Sequence, residues 1–277
     1  MLGRAEAACV RFFAMADTTK RRCSTAHLHP PSVPPVETPE QQTLPQPQQP
    51  KPSLALAEAR TGGGYRAHGP KWREQYHIVV GAWAACFRPA VLQAASEEER
   101  AANMASAELS TALRPALEWY ESFCLALAEL LVPGLRARLK AEIAAHGGDD
   151  PSVLDAFIYP NLARGTAEPN MCAHFDPGFI TITTASATPG LDAQVDGHWL
   201  DVEAHADAGT ELVCFLSESM RRAVATASDI WDVERAGPQP SIVACNALNH
   251  RVHRNTSTGA APRSSLVYEL RSIYTGM

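Results

Sequence analysis

The sequence predicts an α+β chain in which helices come first and an antiparallel β region follows, and three observations predict it. An apolar stripe with helical spacing runs through the middle of the chain, short strand-like runs separated by turn residues fill everything after Ser152, and glycine and proline signals separate the two patterns. The boundary implied lies near Asp150, which divides the chain into a helical region over 1–150 and a β domain over 151–277.

Taken in order, Leu2 to Ala16 have a helical pattern, after which the composition changes. "HPPSVPPVETPEQQTLPQPQQPKP" holds nine of the 21 prolines and a cluster of glutamines. Such a stretch cannot form a core, so an insertion without fixed structure is expected at about 29–54. "TGGGY" reads as a glycine turn, and "PKWREQYHIVV" suits an amphipathic or an extended piece equally well. Leu113, Leu117, Tyr120, Cys124, Leu127 and Leu131 recur at steps of four and three, which lines one helical face until "VPG" ends it. "LRARLKAEIAAH" is a second helix closed by Gly147 and Gly148. The strand-like runs are "VLDAFIYP", "GFITITT", "GHWLDVEA", "ELVCFL", "PSIVACNAL" and "SSLVYELRSI", a spacing that suits an antiparallel sandwich or barrel.

Composition narrows the partners. At 277 residues and 45% hydrophobic content the chain can bury a sizeable core, and its net charge of −6 leaves no basic stripe for nucleic acid or an anionic membrane. The longest apolar stretch, "IVVGAWAACFRPAVLQAA", is broken by Arg88 and Pro89, so no membrane span is expected. Seven scattered cysteines without C-x-x-C spacing point to a reducing compartment. Cytoplasm is the expected location, with mitochondria the alternative suggested by the arginines and alanines of the first 22 residues.

The chemistry concentrates in "NMCAHFDPGFITITT" and "NHRVHRNTSTGAAPRSSLVYEL". On an extended chain His174 and Asp176 share one face, and a carboxylate beside the apolar "FITIT" run needs a partner, which a metal ion would supply. With His250 the pair makes a two-histidine, one-carboxylate set that suits non-haem Fe(II) with open positions, and equally zinc with a bound water. Arg263 and Ser265, two apart on a strand, face the same side and can clamp a carboxylate, which makes a dicarboxylate co-substrate the expected companion. "HRVH" also offers His253, but residues three apart on a strand face opposite sides, so only one histidine can complete the set. His198 and His205 are expected at the surface, Trp199 in the core, and Arg251 and Arg254 along a solvated edge.

These motifs, H-x-D, a distal "HRV" and R-x-S, resemble the 2-oxoglutarate and Fe(II)-dependent dioxygenases, in particular the isopenicillin N synthase-like branch. "FIYP", "HFDPGFITI", "PGLDAQVDGHWLDV" and "HRVHR…PRSSLVYEL" are similar to consecutive strands of that family's jelly-roll, and "RFFAMADTTKRR" and "GGGYRAHG" are more weakly similar to its N-terminal region. The resemblance implies a double-stranded β-helix (jelly-roll) core. His174, Asp176 and His250 would ligate Fe(II), Arg263 and Ser265 would hold the distal carboxylate of 2-oxoglutarate, and Tyr159 would donate to it. It also implies O2 as oxidant, ascorbate as a reductant, and oxidation of a small organic substrate coupled to decarboxylation of 2-oxoglutarate.

Departures from the family pattern accompany the match. Phe157 stands where a polar residue is common, and "SESMRRAVATASDIWDVERAGPQP" is an insertion near the site at about 217–240. The family's first strand and helix have no counterpart, as expected of a truncated gene model or a shortened enzyme. Two other functions share the motif: an iron oxidase of the same fold that takes no 2-oxoglutarate, and a non-catalytic jelly-roll binding protein. Retention of all three ligands and of the R-x-S pair speaks against the second.

Overall fold

Alternation along the strands sorts the molecule into an apolar layer and a polar cavity. The computed structural model describes residues 1–23, 63–68, 73–87, 96–160, 169–204, 206–207, 210–225, 246–253 and 261–273. The expected proline- and glutamine-rich insertion, His205, Arg254 and most of the expected insertion near 217–240 lie outside them; a helix over 218–225 occupies its first part.

Besides the helix over 218–225, the described α-helices are α1 (Leu2–Phe13), α2 (Asp17–Cys23), α3 (Trp83–Cys86), α4 (Glu97–Leu131) and α5 (Leu135–Ala145). The strands are β1 (Gly64–His68), β2 (Arg73–Val79), β3 (Val153–Tyr159), β4 (Met171–His174), β5 (Ile180–Thr184), β6 (Leu191–Val195), β7 (His198–Asp201), β8 (Leu212–Leu216), β9 (His250–Val252) and β10 (Arg263–Leu270). They form two sheets in the orders β1-β2-β3-β10-β5-β8 and β4-β9-β6-β7, with every described pairing antiparallel.

The stripe read from the sequence lies on α4, where Leu113, Leu117, Tyr120 and Cys124 are buried and Leu127 and Leu131 pack against the core. The helix begins well before the stripe, because Ser96 caps it by accepting from the Glu99 N–H at 3.1 Å and three glutamates fill its positive first turn. Gly147 and Gly148 take positive φ after α5, a conformation in which other residues are strained.

One expectation is corrected. Helices do not fill the first 150 residues: within "PKWREQYHIVV", Arg73–Val79 form β2, which bridges β1 to β3 inside the larger sheet. Tyr76, Ile78 and Val79 need a buried face, and β3 offers one in register from Glu74↔Ile158 to Val79↔Val153. Lys20 ties the N-terminal helices to this edge. It is buried, donates to the Phe13 carbonyl at 3.1 Å and pairs with Glu74 of β2 at 2.5 Å, while Tyr65 of β1 donates to the same carboxylate at 3.0 Å.

On the larger sheet, Tyr76, Ile78, Leu154, Ala156, Ile180, Ile182, Leu266, Tyr268 and Leu270 belong to the core that also holds the buried faces of α1 and α4. The intervening residues, which period-two geometry sends to the opposite face, line a cavity of about 720 Å³. Among the described residues no helix is long and apolar enough to cross a membrane. Trp199 is not core: it is partly exposed on β7 with the Arg251 guanidinium 4.2 Å above its ring.

Candidate metal centre and cavity

β9 lies between β4 and β6 in the smaller sheet, with His250 opposite His174 on one side and Ala193 on the other. That register brings together three residues far apart in the chain. Single ligand atoms of His174, Asp176 and His250 all lie within 4.8 Å of one another. Asp176 Oδ1 is 3.4 Å from His174 Nε2 and 3.8 Å from His250 Nε2, and the two rings are 4.2 Å apart. Adjacent ligands on an octahedral ion with bonds of about 2.1 Å stand about 3 Å apart, so the set needs only a small contraction to close on one ion.

Hydrogen bonds around the three aim their lone pairs inward. His174 Nδ1 is 2.9 Å from the Cys172 carbonyl and His250 Nδ1 is 3.2 Å from that of Leu248. A carbonyl only accepts, so both Nδ1 atoms carry the proton and both Nε2 atoms face Asp176. Thr181 donates to Asp176 Oδ2 at 2.6 Å, which leaves Oδ1 to the histidines. Burial alone would raise the Asp176 pKa, but with no metal bound the His174 and His250 rings in their protonated form, the first by a hydrogen bond and the second by charge, and the Thr181 hydroxyl hold it below the ordinary carboxylate value. The hydrogen bond to Asp176 pushes His174 up, and burial pushes His250 down. Such a donor set, two imidazoles and one ionised carboxylate with fixed tautomers, fits a divalent metal.

His253 sits apart from this group, with Nδ1 3.0 Å from Asp192 Oδ1, as the strand argument expects. Asp192 also pairs with Arg251 Nε at 2.8 Å, so Arg251 is not on a freely solvated edge. His198 is exposed.

Arg263, Ser265 and Tyr159 all line the same cavity as the three potential ligands. β10 pairs with β3 so that Arg263 lies opposite Tyr159 and Ser265 opposite Phe157, and the Arg263 guanidinium stands 5.4 Å from the centre of the Tyr159 ring. Arg263 also has a protein partner that sequence reasoning missed. Glu203 accepts from its Nη2 at 2.9 Å and its Nε at 3.2 Å, both side chains being essentially inaccessible to water. The Ser186, Gly190 and Leu191 N–H groups also donate to Glu203 at 2.9–3.0 Å. Gly190 leaves room there, since a Cβ would lie 3.0 Å from Arg263 Cδ and press on the buried arginine. Arg263 Nη1 remains buried without a partner, an orphan donor in a cavity wall. A buried arginine demands a counter-charge, but nothing in "GHWLDVEA" marks Glu203 above Asp201 as the one that supplies it.

The cavity holds further polar residues with no signal in the sequence: Arg73 and Gln75 on β2, Asp155 on β3, and Glu269 and Arg271 at the end of β10. Burial pushes the Glu269 carboxyl up to about 7, against the opposing charge of Arg271. The unfolded chain's glutamate titrates near 4.3, so the folded state binds the extra proton between roughly pH 4.3 and 7 and stability falls as pH rises through that window. Metal-free protein is therefore expected to lose on the order of 1–3 kcal/mol between pH 5 and 8, and Glu269→Gln to flatten that decline. Thermal denaturation across the pH range checks it; an unaltered slope in the variant would assign the effect elsewhere.

No family model matches the sequence, and no curated protein matches it. Solved structures do. A Neurospora crassa protein, solved at full length in complex with alpha-KG and 5-formyluracil, is 14% identical, matches 96% of this chain and 68% of its own, and has a TM-score of 0.54. The C-terminally truncated apo form of the same protein matches 96% and 76% at 14% identity and a TM-score of 0.52. A protein from Caulobacter crescentus described as of the 2OG-Fe(II) oxygenase family matches 96% and 72% at 18% identity and a TM-score of 0.51. At such identities the likeness is one of fold: this chain has the fold of the 2-oxoglutarate and Fe(II)-dependent oxygenases. Within that fold the His174, Asp176 and His250 group and the Arg263 donor share one cavity.

Proposed function

We propose that the protein is an Fe(II)- and 2-oxoglutarate-dependent oxygenase, with a double-stranded β-helix (jelly-roll) core over residues 151–277 and a first region over 1–150 that adds helices and two strands to it. The observation that carries this is the convergence of a two-histidine, one-carboxylate group and an unpartnered buried arginine donor on one cavity. His174 Nε2, Asp176 Oδ1 and His250 Nε2 would hold the iron. Arg263 Nη1 and the Ser265 hydroxyl would hold the distal carboxylate of 2-oxoglutarate, with Tyr159 beside them.

Iron bound there would activate O2 for oxidation of a substrate C–H bond, so that substrate, 2-oxoglutarate and O2 become hydroxylated product, succinate and CO2. The chain's own part is to orient and to exclude water. The carbonyls of Cys172 and Leu248 fix the imidazole tautomers, Thr181 fixes the carboxylate, and Phe157, Leu191, Phe215 and Val252 wall the cavity against solvent. The Neurospora crassa protein of similar fold was solved with alpha-KG and 5-formyluracil, which supports a small organic molecule as substrate here.

Purified protein incubated with Fe(II), ascorbate and 2-oxoglutarate, without added substrate, is expected to release succinate above a metal-free control. Glu203 favours one second reading, because its carboxylate already occupies two donors of Arg263. A same-fold iron oxidase that takes no 2-oxoglutarate would consume O2 in the presence of iron and form no succinate.

A further inference from the structure

Three arginines line the cavity, and two have carboxylate partners. Arg263 is held by Glu203 and Arg271 by Glu269 at 2.6 Å. Arg73, which opens β2, has no ion-pair partner among the described residues, and its buried Nε has no hydrogen-bond partner. The cavity's own acids are engaged elsewhere: Asp155 takes the Gln75 amide and His77 Nδ1, each at 2.7 Å, and Asp176 faces the two histidines. What holds Arg73 is the Phe157 ring, 5.6 Å from its guanidinium. Phe157, the residue that departs from the family pattern, thereby acts as a flat apolar support that positions a cation without neutralising it.

Arg73 and the Arg263 donor stand on different strands of the larger sheet, β2 and β10. β3 lies between β2 and β10, with Tyr159 opposite Arg263, so the two arginines rise from strands about 10 Å apart on either side of β3. The same cavity is walled in part by apolar Met171, Leu191 and Val252. A cation, an apolar wall and a potential oxidation centre in one cavity describe the ligand that would fill it.

We propose that Arg73, supported by Phe157, anchors a carboxylate of the substrate to be oxidised, which makes that substrate a small organic acid with an apolar body. This rests on the oxygenase reading for the word substrate, but the anion site itself does not depend on bound iron.

The test is calorimetric titration of the full chain with benzoate, phenylacetate and hexanoate, each against its neutral amide, in metal-free protein and again with Fe(II) and 2-oxoglutarate under argon. Wild type is expected to favour at least one acid over its amide by about tenfold, and Arg73→Gln to reduce that preference to within about twofold. Arg73→Lys, which keeps the charge, should retain part of the preference and so separates lost recognition from a damaged fold. Affinity of Arg73→Gln for 2-oxoglutarate should stay within about twofold of wild type. Absence of any acid-over-amide preference in wild type, or its survival in Arg73→Gln, overturns the proposal. A loss of 2-oxoglutarate affinity of about tenfold or more in Arg73→Gln also overturns it, by placing Arg73 on the co-substrate. Failure of iron or 2-oxoglutarate to bind at all would sink the oxygenase reading while leaving the metal-free titrations to decide this one.

Discussion

Arg263→Ala is expected to weaken 2-oxoglutarate binding by roughly 2 to 5 kcal/mol while leaving iron content intact, and to lower thermal stability at the same time. The two effects have different origins. Binding suffers because the buried, unpartnered Nη1 donor is removed together with its charge. Stability suffers because Glu203 is left buried and ionised without its cation, and breaking such a pair costs about 3–5 kcal/mol. Arg263→Met combined with Glu203→Gln removes both charges and should recover part of the lost melting temperature, since the amide oxygen at position 203 can still accept from the Gly190 and Leu191 N–H groups while that of Ser186 loses its acceptor. Affinity should not recover. Calorimetry with 2-oxoglutarate and thermal melts of the two variants separate these outcomes, and unchanged affinity in Arg263→Ala would point to the oxidase reading or to another carboxylate anchor.

His250→Ala should lose iron and, with it, the visible charge-transfer band of the anaerobic Fe(II) and 2-oxoglutarate complex, whereas His253→Ala should keep both. His250 lies opposite His174 in the β4–β9 register, and its Nε2 faces Asp176. His253 instead faces Asp192, so its removal costs one partly exposed ion pair on a surface where Arg251 still neutralises the same carboxylate, worth about 1 kcal/mol or less. Loss of the band in His253→Ala with survival in His250→Ala would overturn both the ligand assignment and the β4–β9 register that sets His250 opposite His174.

Those two expectations differ in how much of them is legible from the chain. Which of His250 and His253 would face the metal follows from the register that sets His250 opposite His174, whereas that only one of them can face it needs only the alternation of a strand, a local property that holds whatever the strand pairs with. The same is true of the shared face of Arg263 and Ser265 and of the stripe on α4, each a consequence of period two or 3.6. β2 is not decided this way, because "REQYHIV" alternates weakly: Tyr76 and Ile78 bury in the core while Gln75 and His77 are buried on the opposite, cavity side, so both faces are covered and polarity does not separate them.

Residue order therefore sets the kinds of chemistry available: which histidines and carboxylate can share a face, which arginine and hydroxyl project together, and where helices stop. The partners are chosen only when the strands pack. Glu203 and Arg263 are 60 positions apart, and Arg73 meets Phe157 only because β2 docks on β3. Charge neutralisation is a contact over a few ångströms that falls off within the cavity, whereas separation along the chain places no limit on it. Whether an arginine is spent on a protein carboxylate or left for a ligand is a matter of strand order and register, and those two sheets leave Arg73 as the cavity arginine with no carboxylate among the described residues.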